Sequence, residues 1–260
     1  MSGDASTGTF LQGLERGLAV IRAFSADTPS LTLSEVARDV GITPATARRI
    51  LLTLEQLGYV RSDGRRFALT PRVLALGWAY LSSLDLGDIA GPFMEELSAQ
   101  TRESCSIATL DLPDIVYVAR VPTRRIMTVA LGVGARLPAY ATSMGRVLLA
   151  GLPENELTAY VESVETEQHT EHTLTSPSEL RDAVRRAGEE GYALVDQELE
   201  LGLRSIAVPI LDSRGRAAAA LNVSAHASRS TKSALKTETL KPLRACAEQI
   251  GTALRQRGRI

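Results

Sequence analysis

The sequence predicts an α+β protein: an N-terminal winged helix-turn-helix, a linker helix, and a larger C-terminal domain with a mainly antiparallel sheet. Three observations carry this. Two short helical patterns meet at Gly41-Ile42-Thr43. Asp63-Gly64 lies between two alternating runs, a strong hairpin signal. The later strands fall into an early and a late group with helices between and outside them, which is α+β order rather than doubly wound order.

The N-terminal elements follow in chain order. Met1 to Thr9 is small and polar with one charge, Asp4, and is expected as a disordered tail without the basic and apolar regions of a signal peptide. Leu11, Leu14, Leu18 and Ile21, with Val20 and Phe24, form a helical apolar stripe that stops at the loop signal Asp27-Thr28-Pro29-Ser30. Thr32-Leu33-Ser34-Glu35 has the capping-box spacing and starts a second helix, which ends at Gly41. Thr43-Pro44 is an N-cap followed by Pro at the first helical position. The third helix carries Ala47, Ile50, Leu51, Leu54 and Leu57 on one face and stops at Gly58. The hairpin Tyr59–Leu69 completes a winged helix over residues 10–70.

The charge is local. The whole chain has 29 Lys+Arg against 30 Asp+Glu, a net charge of −1, so no global basic field draws it to nucleic acid. Only 4% of residues are aromatic, which argues against stacking on single-stranded bases. Between Thr43 and Phe67, however, five arginines stand against Glu55 and Asp63. Placing the third helix in a major groove gives Thr43, Ala45, Thr46, Arg48 and Arg49 as base-edge contacts; Arg61, Arg65 and Arg66 then meet phosphates or the minor groove. The alternative is a solvated face on a module that binds only protein.

Residues 71–84 form the linker helix. Val73, Leu74, Leu76, Trp78, Tyr80 and Leu81 leave it apolar on most sides, so it needs cover. A dimer contact, as a pseudo-palindromic operator demands, is one solution; burial against the chain's own C-terminal domain is the other.

Residues 85–256 form the second domain, with 257–260 as a short tail. A helix spans about 87–100. Strands are expected over 104–110, 115–121, 126–131, 192–195, 204–211 and 216–225, and helices over 143–150, 154–164 and 178–190. A last helix has Leu243, Cys246, Ala247, Ile250 and Leu254 on one stripe. Pro209 marks an edge or a bulge. Cys105 and Cys246 are far apart in sequence and outside any metal-ligand spacing, as in a reducing compartment. No apolar run reaches the length of a membrane span, and a soluble, cytoplasmic protein is expected.

Several stretches resemble the IclR family of bacterial transcriptional regulators over nearly the whole chain. They are Gly13-Leu14-Glu15-Arg16-Gly17-Leu18 with the helix-turn-helix, Leu137 through Arg146, and Gly202 through Pro209. The last two, with Glu103-Ser104-Cys105-Ser106 and Val116-Tyr117-Val118-Ala119-Arg120, look most like the branch that regulates protocatechuate and 4-hydroxybenzoate catabolism. The resemblance implies a GAF-like effector domain, dimers that can pair into tetramers, double-stranded operator DNA as partner, and a small organic acid as effector. A non-aromatic acid controlling another carbon-source operon is the alternative.

Ser143 reads as an N-cap, which would turn the amides of Met144 and Gly145 outward as an anion site; an ordinary water-satisfied cap reads equally well. The family pocket adds Ile126, Asp196, Ser205, Asn222 and Ser224. Asn222 stands where the family usually has a hydroxyl residue, and it both donates and accepts. Tyr140 would wall an aromatic ring or belong to the core.

No catalytic constellation is found. Ala141 takes the place of the first glycine in a nucleophile elbow around Ser143. Cys105 and His226 have no nucleophile–base spacing, and no phosphate-binding or dinucleotide fingerprint is present. His169 and His172 lack a third ligand and read as a solvated loop rather than a metal site, and Glu198 and Glu200 as solvated. No cofactor is called for. An enzyme acting on a small acid, with an accessory winged helix, is the remote alternative.

Overall fold

The computed structural model describes residues 10–25, 27–84, 86–123 and 132–257. The chain divides between Tyr80 and Leu81 into two compact units, inside the expected linker helix.

The first unit contains α1 (Gln12–Arg22), β1 (Ser30–Thr32), α2 (Leu33–Val40), α3 (Pro44–Gln56), β2 (Val60–Ser62) and β3 (Arg66–Leu69). A 3-10 turn, Pro71–Val73, leads into α4 (Leu74–Leu84). The capping box forms: Thr32 Oγ1 accepts from the Glu35 amide at 3.3 Å, and a Glu35 carboxylate oxygen accepts from the Thr32 amide at 2.7 Å. Gly41 sits at φ 69°, the left-handed conformation that ends α2. Thr43 Oγ1 caps α3 through the Thr46 amide at 3.2 Å. The two helices close on a core of Val20, Phe24, Leu31, Val36, Ala37, Ala47, Leu51, Leu54 and Val60, with Ile42 half-buried at the joint.

Two expectations for this unit are corrected. The expected two-stranded wing is a three-stranded sheet in the order β1-β3-β2, because the loop at Asp27–Ser30 runs directly into β1, whose Ser30 pairs with Ala68. The apolar stripe of α1 is split: Val20 and Phe24 are buried, but Leu11 (72% exposed), Leu14 and Leu18 lie outside the core. On α4, Leu74, Leu76, Trp78 (66% exposed) and Tyr80 are exposed too.

The second unit begins with α5 (Leu86–Thr101), β4 (Ser104–Asp111), β5 (Asp114–Val121) and β6 (Arg136–Pro138), then a 3-10 turn, Ala139–Ala141. It continues with α6 (Ser143–Leu149), α7 (Glu154–Ser163), α8 (Pro177–Glu190), β7 (Ala193–Asp196), β8 (Leu203–Leu211) and β9 (Ala217–His226). The short α9 (Lys232–Ala234) passes through a π turn, Leu235–Thr239, into α10 (Leu240–Gln256). The expected strand 126–131 lies outside the described residues.

The sheet order is β6-β5-β4-β9-β8-β7, antiparallel throughout. Antiparallel sheets often keep one face in water. Here both faces are covered, which explains the continuous burial along the middle of β4 and β9. On one face, Cys105, Ile107, Ile206, Val208, Leu221 and Val223 pack against α5 and α10. On the other, Ala108, Ala207 and Ala220 pack in the core that contains α6, and α7 and α8 complete that layer. Three alanines on facing strands let α6 approach the sheet closely. Pro209 lies beyond Ala207, the last β8 residue paired to β7, so it occupies an edge stretch where the missing amide breaks no ladder.

The thiols of Cys105 and Cys246 are buried in the first of these layers, and burial pushes each up to about 12. Both are therefore neutral, structural groups near neutral pH.

Candidate effector pocket and DNA-reading surface

On α3, Ala47, Leu51 and Leu54 face the core, which leaves Thr43, Ala45, Arg48 and Arg49 exposed and Thr46 half-buried. The Thr43 and Thr46 hydroxyls are 2.9 Å apart, so the start of α3 is internally organised. Arg61 and Arg65 are exposed on the wing. No ion pair engages Arg48, Arg49, Arg61 or Arg65 among the described residues. The wing turn is rigid: Asp63 Oδ1 accepts from the Arg65 and Arg66 amides at 2.9 and 2.7 Å, and these bonds hold the Asp63 carboxyl below its usual range.

Arg66 departs from its expected role as a phosphate contact. Its guanidinium donates to the Ser30 carbonyl (2.7 Å), the Ser30 hydroxyl (3.0 Å) and Glu35 (3.3 Å). It fastens the wing to β1 and to the cap of α2. Sequence reasoning missed this because its partner strand, β1, is three residues long and has no pattern of its own.

In the second unit, β9 turns Asn222 and Ser224 toward the α6 face, since both alternate in step with Ala220. Ser205 on β8 lies directly opposite Ser224. The start of α6 brings Ser143, whose Oγ is 2.9 Å from Ser205 Oγ. These four line one small cavity with Tyr117 of β5, Leu137 of β6, Ala141 and Thr142 before α6, Val195 of β7, and Leu199 and Leu203. It encloses about 20 Å3, enough for a water molecule. A benzene-sized ring needs on the order of 150 Å3, so such a ligand must spread the walls.

Part of the cavity wall is polar. Asn222 (4% exposed) donates from Nδ2 to Ser224 Oγ at 3.1 Å, while its Oδ1 has no hydrogen-bond partner among the described residues. An unpaired buried carbonyl is costly and calls for a donor. Tyr117 supplies a second polar group; burial, opposed by the charge of Arg120, pushes its hydroxyl up to about 12, so it stays protonated.

Met144, Gly145 and Asp196 do not converge here. Thr142, not Ser143, caps α6: Thr142 Oγ1 accepts from the Gly145 amide at 3.0 Å, and Ser143 is the first helical residue. The Gly145 amide is thereby taken up within the helix start. Glycine at 145 has a packing reason instead, because a Cβ there would lie 2.1 Å from the Ala139 carbonyl oxygen. Met144 is fully buried in the core around α6. Asp196 lies on the opposite face of the sheet from Val195, where it pairs with Arg204 (2.6 Å) and Lys232 (3.3 Å). Burial raises its pKa, but these two cations outweigh that and hold it below the usual range. Ile126 lies outside the described residues.

Glu198, expected as solvated, is buried (7% exposed) and forms a two-pronged ion pair with buried Arg146 of α6. One contact, Nη1 to Oε1, is 2.8 Å. The pair ties α6 to the loop that carries Leu199. No spacing rule signals it, because its halves are 52 residues apart. His169 meets Tyr140, with its Nε2 3.0 Å from the hydroxyl and the rings stacked. Tyr140 is buried in the core and does not line the cavity. No group of three or more potential metal ligands occurs among the described residues. No helix among them is long and apolar enough to cross a membrane.

A winged helix-turn-helix joined to a sheet domain with a buried polar cavity defines a ligand-responsive DNA-binding regulator. The comparisons agree. Residues 13–64 match the IclR helix-turn-helix domain, and residues 78–252 match the bacterial transcriptional regulator IclR C-terminal domain. The chain belongs to the IclR family of transcriptional regulators. It is 45% identical over 242 residues to the Pca regulon regulatory protein of Pseudomonas putida, covering 93% of this chain and 83% of the relative. It is 36% identical to the p-hydroxybenzoate hydroxylase transcriptional activator of Acinetobacter baylyi, covering 96% and 94%. Among solved structures, an IclR homolog from Microbacterium hydrocarbonoxydans complexed with 4-hydroxybenzoate is similar at a TM-score of 0.83 and 26% identity. That likeness covers 94% of this chain and 99% of the other.

Proposed function

We propose that this regulator controls an aromatic-acid catabolic operon in response to an acid of the protocatechuate or 4-hydroxybenzoate type. The observation that carries the effector half is the unpaired Asn222 Oδ1 inside a cavity walled by Ser143, Ser205 and Ser224. The relatives at 45% and 36% identity, and the 4-hydroxybenzoate held by the Microbacterium homolog, support the aromatic class.

On DNA, α3 enters the major groove with Thr43, Ala45, Thr46, Arg48 and Arg49 at the base edges, and Arg61 and Arg65 meet the backbone or the minor groove. The exposed Leu74, Leu76, Trp78 and Tyr80 of α4 pair two copies, matching the two-fold symmetry of an operator, and dimers pair into tetramers. The protein acts in the cytoplasm and returns its ligand chemically unchanged. Entry of a ring spreads Ser143 and α6 from the strands and favours one arrangement of the DNA-binding heads. A coupling of about 1–3 kcal/mol changes operator affinity five- to 150-fold.

The test is thermal melting of the purified protein with protocatechuate, 4-hydroxybenzoate, β-ketoadipate, catechol and glyoxylate. A ligand at about a hundred times its Kd adds roughly 2.7 kcal/mol. A shift with a hydroxybenzoate supports the reading. A shift with glyoxylate alone transfers the protein to another carbon source, and a flat panel with a well-formed melt rejects the aromatic class.

A further inference from the structure

We propose that Asn222 selects the effector by a ring hydroxyl. Its Oδ1 accepts the hydroxyl proton, so the regulator senses the hydroxylated aromatic acid and turns away acids that bear no donor, the ring-opened keto acid among them. This rests on the effector reading above and adds which end of the acid Asn222 meets.

The polar groups of the cavity differ in what they offer a ligand. The Ser143 and Ser205 hydroxyls are 2.9 Å apart, and either one can be the donor. A hydroxyl turns about its C–O bond and serves as donor or acceptor. Tyr117, kept protonated by its burial, has the same freedom. Thr142 is taken up by the start of α6, where its Oγ1 accepts from the Gly145 amide. Asn222 cannot adapt in this way. Its Nδ2 is committed to Ser224 Oγ, and its Oδ1 can only accept.

The sheet holds that oxygen in place. Asn222 pairs with Ser106 of β4 on one side and with Ala207 of β8 on the other. Its neighbours Leu221 and Val223 are buried in the layer against α5 and α10. An entering ring therefore displaces α6 more readily than β9, and Oδ1 stays in the wall. Bulk water does not serve it, because the side chain is buried. A water inside the cavity would supply the missing proton, but a ring takes its space. Only a donor on the ligand then replaces that bond.

This condition orients the acid. No residue lining the cavity carries a charge at neutral pH among the described residues, so nothing offsets the lone pairs of Oδ1. An ionised carboxylate presents only acceptor oxygens, as does a ketone. Against Oδ1 either one sets lone pair against lone pair. The phenol is the single donor of 4-hydroxybenzoate. It therefore lies on the β9 side of the cavity, with the carboxylate directed away from Asn222. β-Ketoadipate, with two carboxylates and a ketone, has no group to place there.

The experiment is calorimetric titration of the full-length protein with 4-hydroxybenzoate, 4-methylbenzoate and β-ketoadipate. The methyl compound keeps the ring and the carboxylate and replaces only the hydroxyl. The wild type is expected to bind 4-hydroxybenzoate about tenfold or more tightly than either of the others, as an unpaired buried acceptor implies. Asn222→Leu keeps the branched shape without the polar atoms and is expected to bind 4-methylbenzoate at least as well as 4-hydroxybenzoate. Asn222→Ser, whose hydroxyl donates as well as accepts, should still bind 4-hydroxybenzoate but lose most of the discrimination; it also carries the test if the leucine variant does not fold. A purely structural asparagine would change all affinities in proportion. Wild-type ratios retained in the variants, or equal binding of the two aromatic acids by the wild type, overturn the role of Asn222 and leave the effector reading standing. Tighter binding of β-ketoadipate than of 4-hydroxybenzoate also overturns it, since the amide would then present its N–H to the ligand. If neither aromatic acid binds the wild type, the effector reading itself fails, and this inference with it.

Discussion

In the N-terminal unit, Arg48, Arg49, Arg61 and Arg65 extend from exposed positions with no ion pair among the described residues, whereas in the C-terminal unit Arg136, Arg146, Arg204 and Arg229 each reach a carboxylate. The same side chain serves recognition in one unit and architecture in the other. What separates the roles is whether an acid stands within reach, not the residue type. Each unit also holds exceptions. Arg66 is bound internally beside outward-facing arginines, and Arg120, like Arg186 and Arg244, has no ion pair among the described residues.

The largest test of this contrast is the buried pair. Replacing Glu198 by Ala strands Arg146 in the core and is expected to lower unfolding free energy by about 3–5 kcal/mol. The double variant Arg146→Met/Glu198→Leu should recover much of that, because the core then holds no charge at all. Urea unfolding measures both, and a single variant as stable as wild type would remove the architectural role.

Next comes the recognition side. Arg48→Ala is expected to weaken operator binding by about 1–3 kcal/mol and to change which bases are preferred, while Arg65→Ala weakens all sequences alike and lowers the salt slope by about one. Titrations against operator variants at several salt concentrations separate the two. Equal effects of both variants on every sequence would leave α3 without a reading role.

Arg66 sharpens the contrast from the other direction. Arg66→Ala should cost the N-terminal unit about 1 kcal/mol through its lost bonds to Ser30 and Glu35, with the salt slope of DNA binding unchanged. A reduced slope would return Arg66 to the phosphate contacts.

The smallest effect is on pH. The folded state holds the Asp196 carboxyl below its unfolded value, despite burial, through Arg204 and Lys232. Its contribution is therefore complete above the ordinary carboxylate pKa and is lost as pH falls through the lowered folded value. Asp196→Asn should flatten this part of the acid limb in melting curves taken from neutral to acid pH; an unchanged limb would mean the pair adds nothing.

Much of the N-terminal unit was legible because its signals are local. Thr32 and Glu35, Gly41, Thr43-Pro44 and Asp63-Gly64 each act within a few residues, and each does what its spacing predicts. The strands from Ser104 to Val121 and from Arg204 to Ala225 were legible from β-propensity and turns. The misses share one cause, which is distance along the chain. β1 exists because β3 offers it an edge, and Arg66 is internal for the same reason. Glu198 is buried because Arg146 meets it. Which face a strand residue occupies depends on a count that one bulge resets, and Val118 resets it for Arg120. The structure brings Ser143, Ser205, Asn222 and Ser224 together, while Asp196, carried over from the family pocket, lies one position out of phase.

The ion pair of Arg146 and Glu198 has a consequence for how such a regulator changes over generations. It joins two walls of the cavity, α6 and the loop carrying Leu199, without contributing a group to the cavity lining. The residues that do line it at Ser143, Ser205, Asn222 and Ser224 are side chains on a frame already fastened elsewhere. An exchange among them changes the pairs Ser143–Ser205 or Asn222–Ser224 but leaves the Arg146–Glu198 fastening intact. A lineage can therefore adopt a new nutrient signal through single substitutions, each inherited on an intact scaffold, while the apparatus that reads DNA stays as it was.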